Sequence, residues 1–227
     1  MKWPAVRFEC NKCYNIQVRT LLIDTNLFIK DMEYPKFYDE IEHIVLQDDL
    51  SRFLGATEEG IIEISFLEIV KMAGHSCPTV AGTYLMALKG LQGLYGSELP
   101  RRGRIKVELR ESLSDGNTGV VAQVLSNITG ATANNGFVGI DAGFNRRGLL
   151  FFGVDIESNV RFTRIDTNRT VEISYLPGRV VNSGAIMQSA VGPDATEESR
   201  KSFPKRWQEM VETIFENTDK VIELQYI

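Results

Sequence analysis

Apolar residues recur along this chain with two distinct periods. Val80, Tyr84, Ala87, Leu88, Leu91 and Tyr95 fall on one face of a 3.6-residue repeat that stops at Gly96, which predicts an amphipathic helix. Pro100 and Gly103 punctuate a loop, and residues 104–110 then alternate, with Ile105, Val107 and Leu109 apolar between charges. That pattern predicts a half-buried strand. Capping residues at 115–118 lead into Val120, Val121, Val124, Leu125 and Ile128, a second helix that Gly130 closes. Residues 138–175 read as strands. Residues 149–154 are continuously apolar and suit a central strand, while 160–165 and 171–175 flank the turn at 166–169. The order helix, strand, helix, three strands predicts an α+β fold, its helices packed on one face of a mixed sheet.

The flanks are less regular. Phe37, Ile41 and Ile44, then Leu50, Phe53 and Leu54, suggest short helical pieces over 34–55, and residues 61–64 suggest a short strand. Ser65 with Glu68 three residues on predicts a capping box for a helix over 66–72. Residues 179–196 are rich in Gly, Ser, Asn and Pro and read as a loop. After Pro204, Trp207, Met210, Val211, Ile214 and Phe215 predict an amphipathic helix, and 221–224 an edge strand. The chain therefore divides into an N-terminal extension (1–31), an α+β core (32–176) and a loop with a C-terminal helix packed on that core (177–227). Met32 is an alternative natural start.

Composition narrows the function classes. The 227 residues are 43% hydrophobic and 24% charged with a net charge of −5, ordinary for a globular protein and unlike a general nucleic-acid binder. No run has the length of a membrane span, and the N-terminus lacks the apolar core of a signal peptide. Three cysteines, an odd number, do not suggest a disulfide framework, so a reducing cytoplasm is expected. Cys10-Asn11-Lys12-Cys13 is half of a zinc knuckle without its mate.

The sharpest chemical signal is Gly74-His75-Ser76-Cys77-Pro78-Thr79, which joins one of two histidines to one of three cysteines. Imidazole and thiolate are ligand types that zinc prefers. Pro78 suits the first helical position, which puts Cys77 at the N-cap, facing the positive end of the helix dipole. The plainer reading is a small buried cysteine beside a chance histidine.

This segment, with the elements that follow it, resembles the FmdE family of formylmethanofuran dehydrogenase components over roughly residues 60–176. That family opens with His-Gly-His-x-Cys-Pro-Gly and later carries Cys-x-x-Asp-Ala-Ile-Gln-x-x-Thr-Gly-Cys-Thr-x-Gly-Lys-Gly. Residues 120–136 resemble the second stretch, with Thr129-Gly130-Ala131-Thr132 standing for its Thr-Gly-Cys-Thr. Ala73 replaces the first histidine, Val120 and Ala131 the cysteines, Gln123 the aspartate and Asn135 the lysine. The cysteine-rich zinc finger that ends many relatives is absent, since no cysteine follows Cys77. The resemblance implies an α+β fold, a homodimer, and a metal or ligand cavity near the His-x-Cys segment.

The leading expectation is a metal-binding protein, with His75 and Cys77 holding a divalent transition metal such as zinc, and a third ligand from Asp141, Glu68 or a second protomer. Cys77 as nucleophile with His75 as base is a metal-free alternative. A third is a non-catalytic, homodimeric module for a small-molecule ligand. The turns Asn134-Asn135-Gly136 and Asn145-Arg146-Arg147-Gly148 read first as plain loops. In the family this region lies near the signature, so Arg146 and Arg147, with Asn135, are candidate contacts to an anionic ligand.

Overall fold

A computed structural model describes residues 33–140 and 143–227. The Cys-x-x-Cys pair, Met32 and Asp141 lie outside those residues. The compact unit spanning Pro35–Ile227 is an α+β domain built around one buried helix.

That helix is α3 (Pro78–Tyr95). It is preceded by a 3₁₀ turn (Lys36–Glu40), β1 (Ile44–Gln47), α1 (Asp49–Phe53), β2 (Ile61–Ile64) and α2 (Phe66–Ala73). After it come β3 (Ile105–Leu109), α4 (Thr118–Thr129), β4 (Leu150–Phe151), β5 (Val160–Arg164) and β6 (Thr170–Tyr175). The chain ends with α5 (Ser183–Val191), α6 (Glu197–Glu216), α7 (Thr218–Val221) and β7 (Ile222–Tyr226). The five-stranded sheet has the order β4-β3-β5-β6-β7; β4 pairs parallel to β3 and the other pairings are antiparallel. β1 and β2 form a separate antiparallel ribbon.

The predicted face of α3 is buried, but so are Ala81, Leu85, Met86 and Leu94. A helix apolar on every side belongs in the middle of a core. Glycines let it lie close to the sheet. A Cβ on Gly82 would run into the Tyr175 ring, and one on Gly90 would stand 2.6 Å from Phe162. The alternation of β3 holds, with Ile105, Val107 and Leu109 buried on the α3 side. The capping box forms as expected: Ser65 Oγ accepts from Glu68 N–H while Glu68 accepts from Ser65 N–H.

Four expectations need correction. Ile44 starts strand β1 rather than continuing a helix. It alternates with exposed Val45 and buried Leu46 and pairs with Ile64, so the two-residue period prevails. Residues 149–154 do not form a central strand: only Leu150 and Phe151 pair, at the edge of the sheet, because Gly148 and Gly153 turn the chain at positive φ on either side. The described residues of 138–149 form no strand of the sheet and belong to a cross-linked loop. Finally, 179–196 is not all loop. Asn182 accepts from Ala185 N–H and caps α5, and α6 begins at Glu197, seven residues ahead of Pro204. Pro204 forfeits one helical hydrogen bond inside α6. The Thr196–Ser199 capping box and the burial of Met210, Val211 and Ile214 offset that loss.

Candidate functional site

The Gly74–Pro78 segment is a helix-to-helix connector. Gly74 adopts the left-handed conformation that ends α2, Cys77 is extended at the N-cap of α3, and Pro78 takes the first helical position, as expected. His75 is exposed, and its Nδ1 lies 3.0 Å from Ala73 O. A carbonyl only accepts, so that contact places the ring proton on Nδ1 and leaves Nε2 to accept. Ser76 O accepts from the Trp207 indole N–H at 3.0 Å, which fastens the connector to α6. Cys77 is a free, half-buried thiol that makes no bond to the helix N-terminus. The Tyr175 hydroxyl donates to Pro78 O at 2.9 Å; burial, with Cys77 nearby, raises its pKa.

Among the described residues no group of three or more His, Cys, Asp or Glu side chains is placed to hold a metal ion. Glu68 is committed to its capping box. The described part of the chain therefore supplies two ligands, short of the three plus an open position of a catalytic zinc. A cavity of about 110 Å³ beside the start of α3 is lined by Thr79, Thr83, Thr118, Asn159 and Tyr175, and neither His75 nor Cys77 is in its wall.

A better-formed site lies at the other end of α4. Asp48 directly follows β1 and caps α1, its Oδ1 accepting from Leu50 N–H and Ser51 N–H. Its carboxylate also takes two arginines. Arg102 Nη1 donates to Oδ2 at 2.9 Å and Arg146 Nη2 donates to Oδ1 at 2.6 Å. Burial pushes the Asp48 pKa up, but Arg102, Arg146 and the Ser51 N–H outweigh it and hold the group below the usual carboxylate range. Arg102 is spoken for at every nitrogen: Nε donates to Ile128 O and Nη2 to Asn127 O, carbonyls near the C-terminus of α4. A cation belongs there, where carbonyls lack helical partners.

Arg146 is different. Its side chain is only 8% exposed, yet Nη1 is buried with no hydrogen-bond partner. Two glycines at positive φ make room for it. A Cβ on Gly103 would overlap Nη1, and one on Gly130 would stand 2.9 Å away. The loop that delivers Arg146 is cross-tied: Arg146 N–H donates to Phe137 O, Thr132 N–H to Arg146 O, and Gly148 N–H to Ala133 O. Arg102 and Arg146 both face a cavity of about 540 Å³ whose polar wall includes Gln123, Ser126, Asn127 and Asn135. Leu113, Phe137, Leu150 and Phe152 supply its apolar wall, and among the described residues no carboxylate lines it.

Of the three expected anion contacts, the cavity brings Arg146 and Asn135 together. Arg147 is exposed and outside the lining. Residues 145–148 are a loop, as their plain reading has it, but the Arg146 guanidinium is buried and ion-paired rather than solvated. Asp48, Arg102, Gly103 and Asn127 were missed. Asp48 carried a signal, as an N-cap type directly before the first turn of α1; the convergence of Arg102 on it carried none.

No protein-family model matches the chain, and no curated protein is significantly similar to it.

Proposed function

We propose that this chain is a small-molecule-binding α+β module, a divergent relative of the FmdE family, that holds an anionic group on Arg146. The supporting observation is the pair of guanidiniums, Arg102 and Arg146, that line a ligand-sized cavity with the single Asp48 carboxylate between them. An anion in the cavity would balance the second guanidinium. The cavity is of ligand size and mixes an apolar wall with a few convergent polar groups, the usual anatomy of a small-molecule site. Thermal unfolding with benzoate and with its neutral analogue benzamide tests the reading. Benzoate raises Tm, benzamide does not, and Ser126→Phe, which fills the cavity from α4, abolishes the effect. No shift with benzoate, or equal shifts with both, would overturn it.

A metal on His75 and Cys77 is the second reading, favoured by the free Nε2 and the unbonded thiol standing two residues apart. A second copy of the chain would have to supply a third ligand, which ties this reading to the homodimer that the resemblance implies. Among the described residues no helix is long and apolar enough to cross a membrane.

A further inference from the structure

We infer that the outer edge of β7 pairs with the same edge of a second copy of the chain, antiparallel and centred on Leu224; the inference stands apart from the proposed anion site. β7 ends the sheet, and among the described residues nothing pairs with its outer side. Native proteins commonly blunt such an edge with a lysine, a proline or a bulge. β7 reads Ile222-Glu223-Leu224-Gln225-Tyr226 and has none of these, and its pairing with β6 keeps one register from Ile222 to Tyr226.

The ladder to β6 decides which backbone groups are left over. Leu176 N–H donates to Val221 O and Ile227 N–H to Thr170 O at its two ends. Antiparallel pairs alternate, so Glu223 and Gln225 turn their N–H and C=O toward β6, while Ile222, Leu224 and Tyr226 turn theirs outward. The Ile222 N–H is taken by Thr218 O. The antiparallel register that pairs the whole strand with itself puts Leu224 on the two-fold axis and Tyr226 opposite Ile222 of the second copy. Leu224 N–H then donates to Leu224 O across the axis and Tyr226 N–H to Ile222 O, each bond made twice by symmetry.

The side chains suit that register. Ile222, Leu224 and Tyr226 lie on the α3 side, where a Cβ on Gly93 would stand 2.7 Å from Leu224 and the three line a cavity of about 370 Å³ with Gln92 and Thr218. The Tyr226 ring, 70% exposed, is laid against Ile222 of the second copy, an aromatic and β-branched pair of the kind that stabilises sheets. Leu224 meets its own equivalent. On the opposite face Glu223 stands across from Gln225, so no like charges oppose one another. The chain's own edge therefore meets packing and charge requirements that a foreign strand would match only by chance.

Sedimentation equilibrium of the full chain decides the matter. A five-residue ribbon is small against the roughly 1,600 Å² of a standard interface, so a Kd of about 10–500 µM is expected. Tyr226→Pro removes an outward N–H and the ring while sparing the ladder to β6, and should weaken dimerisation at least about tenfold. Gln225→Lys sets a cation opposite Glu223 of the second copy and should tighten it about threefold or more. That variant decides alone if the proline variant fails to fold. Monomer throughout, at concentrations up to about 1 mM, would overturn the inference. So would a dimer whose Kd neither variant changes, since its interface would lie elsewhere.

Discussion

Arg146 Nη2 lies 2.6 Å from Asp48 Oδ1, although 98 residues separate the two in sequence. The pair ties the loop ahead of β4 to the junction of β1 and α1. It also fixes a side chain that lines the cavity, so the proposed binding and the fold share a residue. Removing one member of a buried ion pair strands the other and costs about 3–5 kcal/mol. Asp48→Asn should therefore lower the urea unfolding free energy by that order, while Arg147→Ala on the exposed neighbour should change it by less than about 0.5 kcal/mol. Equal effects at the two positions would contradict the assignment.

Asp48 also sets an acid dependence. Its folded pKa lies below the unfolded value, so its contribution is fully present above the unfolded pKa, about 3.9. That contribution disappears as pH falls through the lower, folded value. Asp166, held at about 2 by its hydrogen bonds to Arg164, works in the same direction, but it is half exposed and well screened. Urea midpoints should be flat in this respect between about pH 5 and 7 and fall below about pH 4. Asp48→Asn should flatten part of the fall. An unchanged slope in that variant would show that Asp48 does not set the acid limit.

Helix α3 approaches the sheet through its glycines, and this can be checked without any ligand. Gly82→Ala drives a methyl into the Tyr175 ring and should cost about 1–3 kcal/mol by overpacking. Gly119→Ala, in α4 with nothing within 4 Å, should be neutral or stabilising by up to about 1 kcal/mol. Differential scanning calorimetry of the two variants separates close approach from helix propensity.

The His75–Cys77 connector makes a separate prediction. If it holds a metal, elemental analysis of protein purified without a metal-affinity tag gives near-stoichiometric metal, and Cys77→Ala releases it. Metal-free wild type with unchanged stability in the variant leaves Cys77 as an N-cap residue that packs. Fast alkylation of Cys77 near neutral pH, slowed by His75→Ala, would support the thiol alternative instead.

Periodicity made the centre of the fold legible. Helix α3, strand β3, helix α4 and strands β5 to β7 each carry a period or a cap that local physics enforces, and Ser65 with Glu68 spells out its capping box. The sequence misled where tertiary pairing decides. Leu149 to Val154 is apolar enough for a central strand, yet flanking glycines leave two residues paired at an edge. Ile44 fits a helical spacing, but its ribbon partner Ile64 makes it a strand residue. At the site, the Asn-Arg-Arg-Gly turn marked Arg146 but could not tell it from Arg147. Burial separates them, and burial depends on Asp48, Arg102 and Gly103, which no local pattern connects.

A crystal of the protein soaked in 4-bromobenzoate tests the central claim most directly, because bromine scatters anomalously and marks the ligand's orientation. The carboxylate should sit against the Arg102–Arg146 wall of the cavity, with the bromine peak between Phe137 and Phe152. Bromine elsewhere on the protein, or an Arg146 cavity still without ligand at saturating soak, would contradict it.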